Sequence, residues 1–331
     1  MSVMGDRPQR VGVRQVAERA GVSTQTVSRV INGRPNIRPE TRQRVLDAMV
    51  ELDYRVNNAA RALGTRSTRT LGVIASDASL HGPAAAITEL EDAAREAGRW
   101  IVTAYTDAGD PASVRHAVDH LLGQGVDGIV LVALHEDARD AVAAQAAGVR
   151  VLPFHDDTGL AAQEEAARLA TAHLADAGHR RIARVGGPTA WLEERARAAG
   201  FAAVLAEYGL TPAGQWRGDW SAASGYAVAA EIAAAAVEGG PTALVVANDQ
   251  MALGVMAGLE AAGVAVPTGM SVVGFDDNPD AAYYRPALTT VRVDLAAQAR
   301  RCVAAALDVP AGEPAAAAPA LVVRASTAPA A

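Results

Sequence analysis

Lysine is absent from the 331 residues, so every fixed positive side-chain charge is an arginine. Cysteine occurs once, at Cys302, which excludes intrachain disulfides and cysteine-cluster metal sites. Its surroundings, AQARRCVAAAL, read as a helix with the thiol as a small buried apolar group. No stretch approaches the roughly 20 apolar residues that span a bilayer. The first thirty residues carry Arg and Asp where a signal peptide has an apolar run, so a cytoplasmic protein with no membrane partner is expected. Also missing are a nucleophile elbow, a phosphate-binding glycine loop and a metal-ligand cluster. Asp276, Asp277 and His155 are conceivable acid and base groups, but nothing accompanies them. No enzyme is predicted, and no cofactor or metal.

The length suits two or three domains with ample apolar residues for a core. Net charge becomes informative once divided along the chain. Residues 1–69 hold 13 Arg against 6 acidic residues, a balance of +7; the remainder holds 17 against 31, a balance of −14. A basic head on an acidic body is the asymmetry expected when one end meets a polyanion and the rest does not.

The head contains three short helical patterns. Residues 14–20 (RQVAERA) place Val16, Ala17 and Ala20 on one face, and Gly21 permits a tight turn. Ser23 then caps residues 24–31 (TQTVSRVI), with Val27, Val30 and Ile31 facing inward. Helix, short turn and helix form a helix-turn-helix. Pro39 opens a third helix to about Leu52, with Val45, Leu46, Met49 and Leu52 as its buried stripe. Residues 57–70 are polar and read as a linker with one short conditional helix. From Thr70, short apolar runs (LGVIAS, WIVTAY, DGIVLVA, RIARVGG, TALVVAN, SVVGFDD) alternate with Ala-rich helical segments at 84–98, 111–124, 164–178 and 250–263. Each run reads as a strand buried on both faces, and the alternation implies parallel sheets covered by helices. About 260 residues of this suit two α/β lobes with a cleft between them, ligands sitting beyond the carboxyl ends of the strands. LVVR at 321–324 offers a last strand in an Ala/Pro-rich tail.

The segments VAERAGVSTQTVSRVINGRPNIRPETRQRV and NNAARALG resemble the DNA-binding head and hinge of the lactose/galactose repressor (LacI/GalR) family. GHRRIARVGGP, GDWSAASGY, VANDQMALGVM, SVVGFDDNP and YYRPALTTVRVD resemble its ligand-binding core, most closely that of the lactose-repressor branch. The resemblance implies an α/β fold: a three-helix head (1–56), a hinge (57–69) and a two-lobed core like that of periplasmic binding proteins (70–331). The N-lobe would comprise about 70–162 and 294–318, the C-lobe about 163–293 and 319–328.

A recognition helix enters the major groove with its N-terminal residues toward base edges, and this one exposes Thr24, Gln25, Ser28 and Arg29. Gln pairs bidentately with adenine and Arg with guanine. The resemblance implies base reading by Thr24, Gln25 and Arg29, and phosphate contacts from Ser23, Thr26 and Asn32. It adds Tyr54 and the hinge residues Asn57, Ala60 and Leu63, the last as a wedge in the minor groove of a double-stranded operator. Arg14 stands where an aromatic residue is usual, Arg38 where a Ser cap is, and Val56 where Pro is.

In the core, Trp220 offers an apolar face to the CH-rich side of a pyranose and an edge donor. Asp276 and Asn248 lie at strand ends, and with Arg197 they bind hydroxyls in opposed donor and acceptor pairs. By resemblance these four hold a sugar, and Leu80 to Pro83 close on it from the other lobe. Glu193, His155 and Leu295 stand where the branch has other residues, so the pocket is partly rebuilt; a galactoside and another saccharide both remain open. The expected protein is a repressor, a homodimer without the tetramerising leucine-heptad helix of part of the family, released from a palindromic operator by its sugar effector. The alternatives are a corepressor-dependent regulator and a sugar-binding receptor without DNA function.

Overall fold

The computed structural model describes residues 11–32, 35–55, 67–76, 79–107, 110–132, 135–146, 148–310 and 317–330. They fall into two compact units, Met1–Thr68 and Arg69–Ala331.

In the first unit, α1 (Val13–Ala20) ends at Gly21, whose φ of 65° is the left-handed turn that glycine adopts without strain. α2 (Thr24–Ile31) starts at Ser23, where the Thr26 N–H donates to Ser23 Oγ at 3.1 Å. α3 (Pro39–Glu51) has proline in its first turn and no side-chain cap from Arg38. Val16, Val27 and Val45 are fully buried where the three helices meet. The expected stripe of α3 needs correction. Leu46 is 41% exposed, and Ala48 takes the inner place. Helical periodicity explains this: Val45, Ala48, Met49 and Leu52 follow the i, i+3, i+4, i+7 spacing of one face, while Leu46 lies about 100° around it. Ile31, expected inside, is half-buried.

The second unit holds two parallel four-stranded sheets of the same order. The first is β2-β1-β3-β4, from β1 (Thr70–Ala75), β2 (Trp100–Tyr105), β3 (Gly128–Val132) and β4 (Arg150–Pro153). It is covered by α4 (His81–Glu96), α5 (Pro111–Gly123), α6 (Glu136–Gln145) and α11 (Leu295–Leu307). The second is β6-β5-β7-β8, from β5 (Ile182–Gly186), β6 (Gln215–Arg217), β7 (Ala243–Val246) and β8 (Ser271–Val273). It packs with α7 (Asp157–Asp176), α8 (Leu192–Glu207), α9 (Ala222–Val237) and α10 (Asp249–Ala261). β9 (Thr290–Arg292) and β10 (Ala320–Val322) pair antiparallel beside the second sheet. The chain therefore passes between the lobes at 154–156 and 293–294, and again between α11 and β10.

Three readings from sequence are corrected. WIVTAY is an edge strand with one neighbour, leaving Trp100 60% and Tyr105 55% exposed; apolar content alone does not report sheet position. α7 begins at Asp157, seven residues earlier than expected, because Asp156 caps it by accepting from the Gly159 N–H at 2.8 Å. The outer strands β4 and β6 are too short to show a period. A charge also interrupts the expected apolar runs: Arg184 of β5 is buried, held by both Glu194 oxygens at 2.7 and 2.8 Å. Glu194 accepts the Gly187 N–H as well, at 2.9 Å, which fixes the loop from β5 into α8.

Candidate binding cleft and nucleic-acid interface

Between the two lobes lies a cleft of about 710 Å³, counting solvent at its mouth. Its wall is built from residues just beyond the carboxyl ends of β1, β4, β5, β7 and β8, where helices begin and backbone groups point outward.

One end of the cleft centres on Arg197 of α8. Its Nε donates to Gln163 Oε1 at 2.8 Å, one terminal nitrogen donates to the Ala247 carbonyl, and the other lies 3.4 Å from Asp276 Oδ1. The guanidinium stacks over Phe275 at 3.8 Å and faces Trp220 at 5.5 Å. A planar cation so held presents donors beside a carboxylate, the arrangement that receives a hydroxyl as donor and acceptor at once. Burial raises the Asp276 carboxyl above the ordinary carboxylate range, opposed by Arg197 and then His81. Behind it, Asp249 accepts from Thr290 Oγ1 (2.6 Å) and the Asn278 N–H (2.7 Å); burial, then Asp276, push it up to about 8.

Asn248 caps α10 by accepting from the Met251 N–H at 2.8 Å, and its Nδ2 donates to the Trp220 carbonyl at 3.0 Å. Trp220 is thereby fixed with φ 77°, and Asp276 has φ 106°, a region that residues with side chains rarely adopt and that clusters at functional sites. Gly187 allows the indole in, since a Cβ there would meet its ring at 2.4 Å. The Trp220 Nε1–H is buried without a partner among the described residues, in a residue that lines the cleft.

His155, Glu193 and Leu295 line the same cleft. Gln298 Nε2 donates to the Phe154 carbonyl at 2.8 Å and to His155 Nδ1 at 2.9 Å. A carbonyl only accepts, so the amide nitrogen must face it, and the ring proton of neutral His155 then sits on Nε2. That nitrogen faces Glu193 Oε1 at 3.8 Å. Burial lowers the His155 pKa, with Glu193 opposing. Glu193 Oε2 is buried with no partner among the described residues.

All nine core residues singled out from sequence, Leu80, Pro83, His155, Glu193, Arg197, Trp220, Asn248, Asp276 and Leu295, line this one cleft. Sequence reasoning missed Trp191 and Gln163, and reached His81 only as part of the loop from Leu80 to Pro83. Trp191 packs edge-on against Trp220 (5.7 Å) and His135 (5.8 Å), three residues beyond Pro188 of the GGP motif. His81 N–H donates to Gln250 Oε1 at 2.9 Å, and Leu80 packs into the core of the second lobe. Among the described residues there is no group of three or more His, Cys, Asp or Glu that could hold a metal.

In the head, Ser23, Thr24, Gln25, Ser28 and Arg29 are exposed on α2. Thr26 is half-buried, its hydroxyl 2.9 Å from Ser23 Oγ, and Asn32 Nδ2 donates to Ser28 Oγ at 3.3 Å. Tyr54 is half-buried against the head's core. Asn57, Ala60 and Leu63, with Val56, lie outside the described residues. Arg14 pairs with Glu18 on the surface at 3.1 Å.

Residues 13–57 match the family "Bacterial regulatory proteins, lacI family", and residues 171–327 the "Periplasmic binding protein-like domain". The lactose operon repressor of Escherichia coli (strain K12) is 36% identical over 287 residues, covering 84% of this chain and 79% of that protein. The structure of the lac repressor dimer bound to operator and the anti-inducer ONPF superimposes with a TM-score of 0.77 at 31% identity, covering 97% of this chain and all of that one. The complex of the transcriptional regulator CelR with cellobiose has a TM-score of 0.67 at 29% identity, covering 96% and 100%. No helix among the described residues is long and apolar enough to cross a membrane.

Proposed function

The chain belongs to the lacI family of bacterial regulatory proteins, and on that premise we propose that a saccharide bound in the cleft governs how tightly the helix-turn-helix head holds a palindromic operator. The observation that carries this reading is the Arg197, Asp276, Asn248 and Trp220 constellation. It sets a guanidinium, a carboxylate and an unpartnered indole N–H around a partly apolar cavity, which suits hydroxyls on an apolar ring. CelR was crystallised with cellobiose and the lac repressor with operator and a ligand, which favours the same two partners here.

The mechanism is linkage. Two heads of a homodimer engage two half-sites; Gln25 and Arg29 read base edges, while Ser23 and Thr26 take phosphates. A saccharide that prefers the state unable to bind DNA must lower operator affinity, and operator must lower saccharide affinity by the same factor. Its relatives are transcription regulators and not enzymes, and the chain works in the cytoplasm where its operator is. A receptor without DNA function would have no use for the head that residues 13–57 form.

Fluorescence anisotropy of the full-length protein on its own upstream DNA tests this, with galactosides, glucosides and other saccharides added in turn. Salt-sensitive specific binding, released by one saccharide, is the expected result. Binding tightened by the saccharide would make the ligand a corepressor, and no specific binding at all would overturn the reading.

A further inference from the structure

The cleft carries a second polar pair besides that of Arg197 and Asp276. Glu193 keeps one carboxylate oxygen, Oε2, buried without a partner among the described residues, which leaves Oε1 to make the hydrogen bonds of the group. Its other oxygen faces the His155 N–H across 3.8 Å, too far for a direct hydrogen bond. The orientation of His155 is not accidental, because Phe154 and Gln298 fix its tautomer so that the proton points at Glu193. A single hydroxyl oxygen closes this gap. Set about 2.7 Å from the carboxylate and about 2.9 Å from the imidazole nitrogen, it donates to the first and accepts from the second.

We propose that Glu193 and His155 together hold one hydroxyl group of a neutral saccharide, and that Glu193 is the residue that rejects phosphorylated and carboxylated sugars. The proposal rests on the saccharide reading of the cleft. An anionic group would meet an uncompensated carboxylate in a site largely shielded from water. An ammonium group pairs with Glu193 but has nothing to accept the His155 proton. A group that donates and accepts at one oxygen, as a sugar hydroxyl does, satisfies both. The one guanidinium lining the cleft, Arg197, lies 3.4 Å from Asp276, so with Glu193 the lining carries more carboxylates than fixed cations. Trp191 and Leu295 line the same cleft, so the saccharide residue addressed by Glu193 has apolar surface to rest on.

The test uses full-length protein, with the intrinsic fluorescence of the cleft tryptophans as readout. The probes are two sets: lactose, cellobiose and maltose, and glucose 6-phosphate, galactose 6-phosphate and glucuronate. Wild type should bind a member of the neutral set and none of the anionic set. Glu193→Gln should weaken that binding about tenfold or more, as expected for loss of a charge-assisted hydrogen bond, and narrow the preference for neutral over anionic sugars. Ligand-free Glu193→Gln should melt at or above the wild-type temperature, since it removes an unpaired buried charge. The proposal is overturned by unchanged neutral-sugar affinity in Glu193→Gln, by an anionic sugar binding wild type more tightly than its neutral parent, or by a lower melting temperature that makes Glu193 a structural partner. Asp276→Asn separates the two readings. If it leaves sugar binding intact, or if wild type binds neither set, the saccharide reading itself fails and this one falls with it.

Discussion

The head and the cleft present their working residues in opposite ways. On α2, Thr24, Gln25 and Arg29 stand exposed while Val27 and Val30, with Ile31 beside them, hold the helix to its neighbours. In the cleft, Arg197 and Asn248 are buried, Asp276 is half-buried, and they are bonded to one another's supports, so the groups that meet a ligand also hold loops in place. Recognition of DNA is thus separable from folding, whereas recognition of the small molecule is not.

The strongest break in this contrast would come from Arg197→Ala. It strands Asp276 and leaves the Ala247 carbonyl and Gln163 without their donor. We expect about 3–5 kcal/mol of lost core stability, as for other broken buried ion pairs, together with loss of saccharide binding. Urea denaturation and calorimetric titration would check both, and near-wild-type stability would refute the coupling. In the head, Gln25→Ala should instead weaken operator binding by about 1–3 kcal/mol while shifting stability by less than about 0.5 kcal/mol. A parallel fall in melting temperature would erase the distinction.

Ser23→Ala sharpens the comparison, because Ser23 serves both purposes. Losing its cap on the Thr26 N–H should cost the head about 1 kcal/mol, read as a lower melting point of the head with the core unchanged. The shallowest effect concerns pH and the core alone. Burial lowers the pKa of His173 and His179, whose rings contact Thr327 Oγ1 and the Ala328 carbonyl and so anchor the C-terminal segment. Below about 6.5 the unfolded chain takes up protons that the folded core resists. Stability is therefore present above that value and declines as pH falls through it. Melting curves between pH 7.5 and 5.5 should show the decline for wild type and a flatter line for the His173→Gln, His179→Gln double variant.

What could be read from sequence follows the same division. Helix periods located the head because its core is a repeating face, and the departures lie at its margin: Leu46 is an apolar residue off that face and Ile31 is half-buried. Strand runs identified the two sheets, but WIVTAY shows that an apolar run does not say whether a strand lies in the middle or at the edge. The cleft residues were legible where a motif carried them, as for Trp220, Asn248 and Asp276. Trp191 and Gln163 were not, because their role arises from which elements the fold brings beside Trp220 and Arg197, and no local pattern encodes that.

Leu80 has a meaning beyond the wall of the cleft. It belongs by chain to the first lobe and by packing to the core of the second, and its neighbours Ser79 and His81 are tied to Gln250. Counted by shape, the core has two halves; counted by cooperativity it has one, since melting either lobe must first extract this side chain or the three strands of polypeptide that pass between them. Scanning calorimetry of the core should accordingly trace a single transition, and a substitution such as Leu80→Ala should be the change most apt to split it in two.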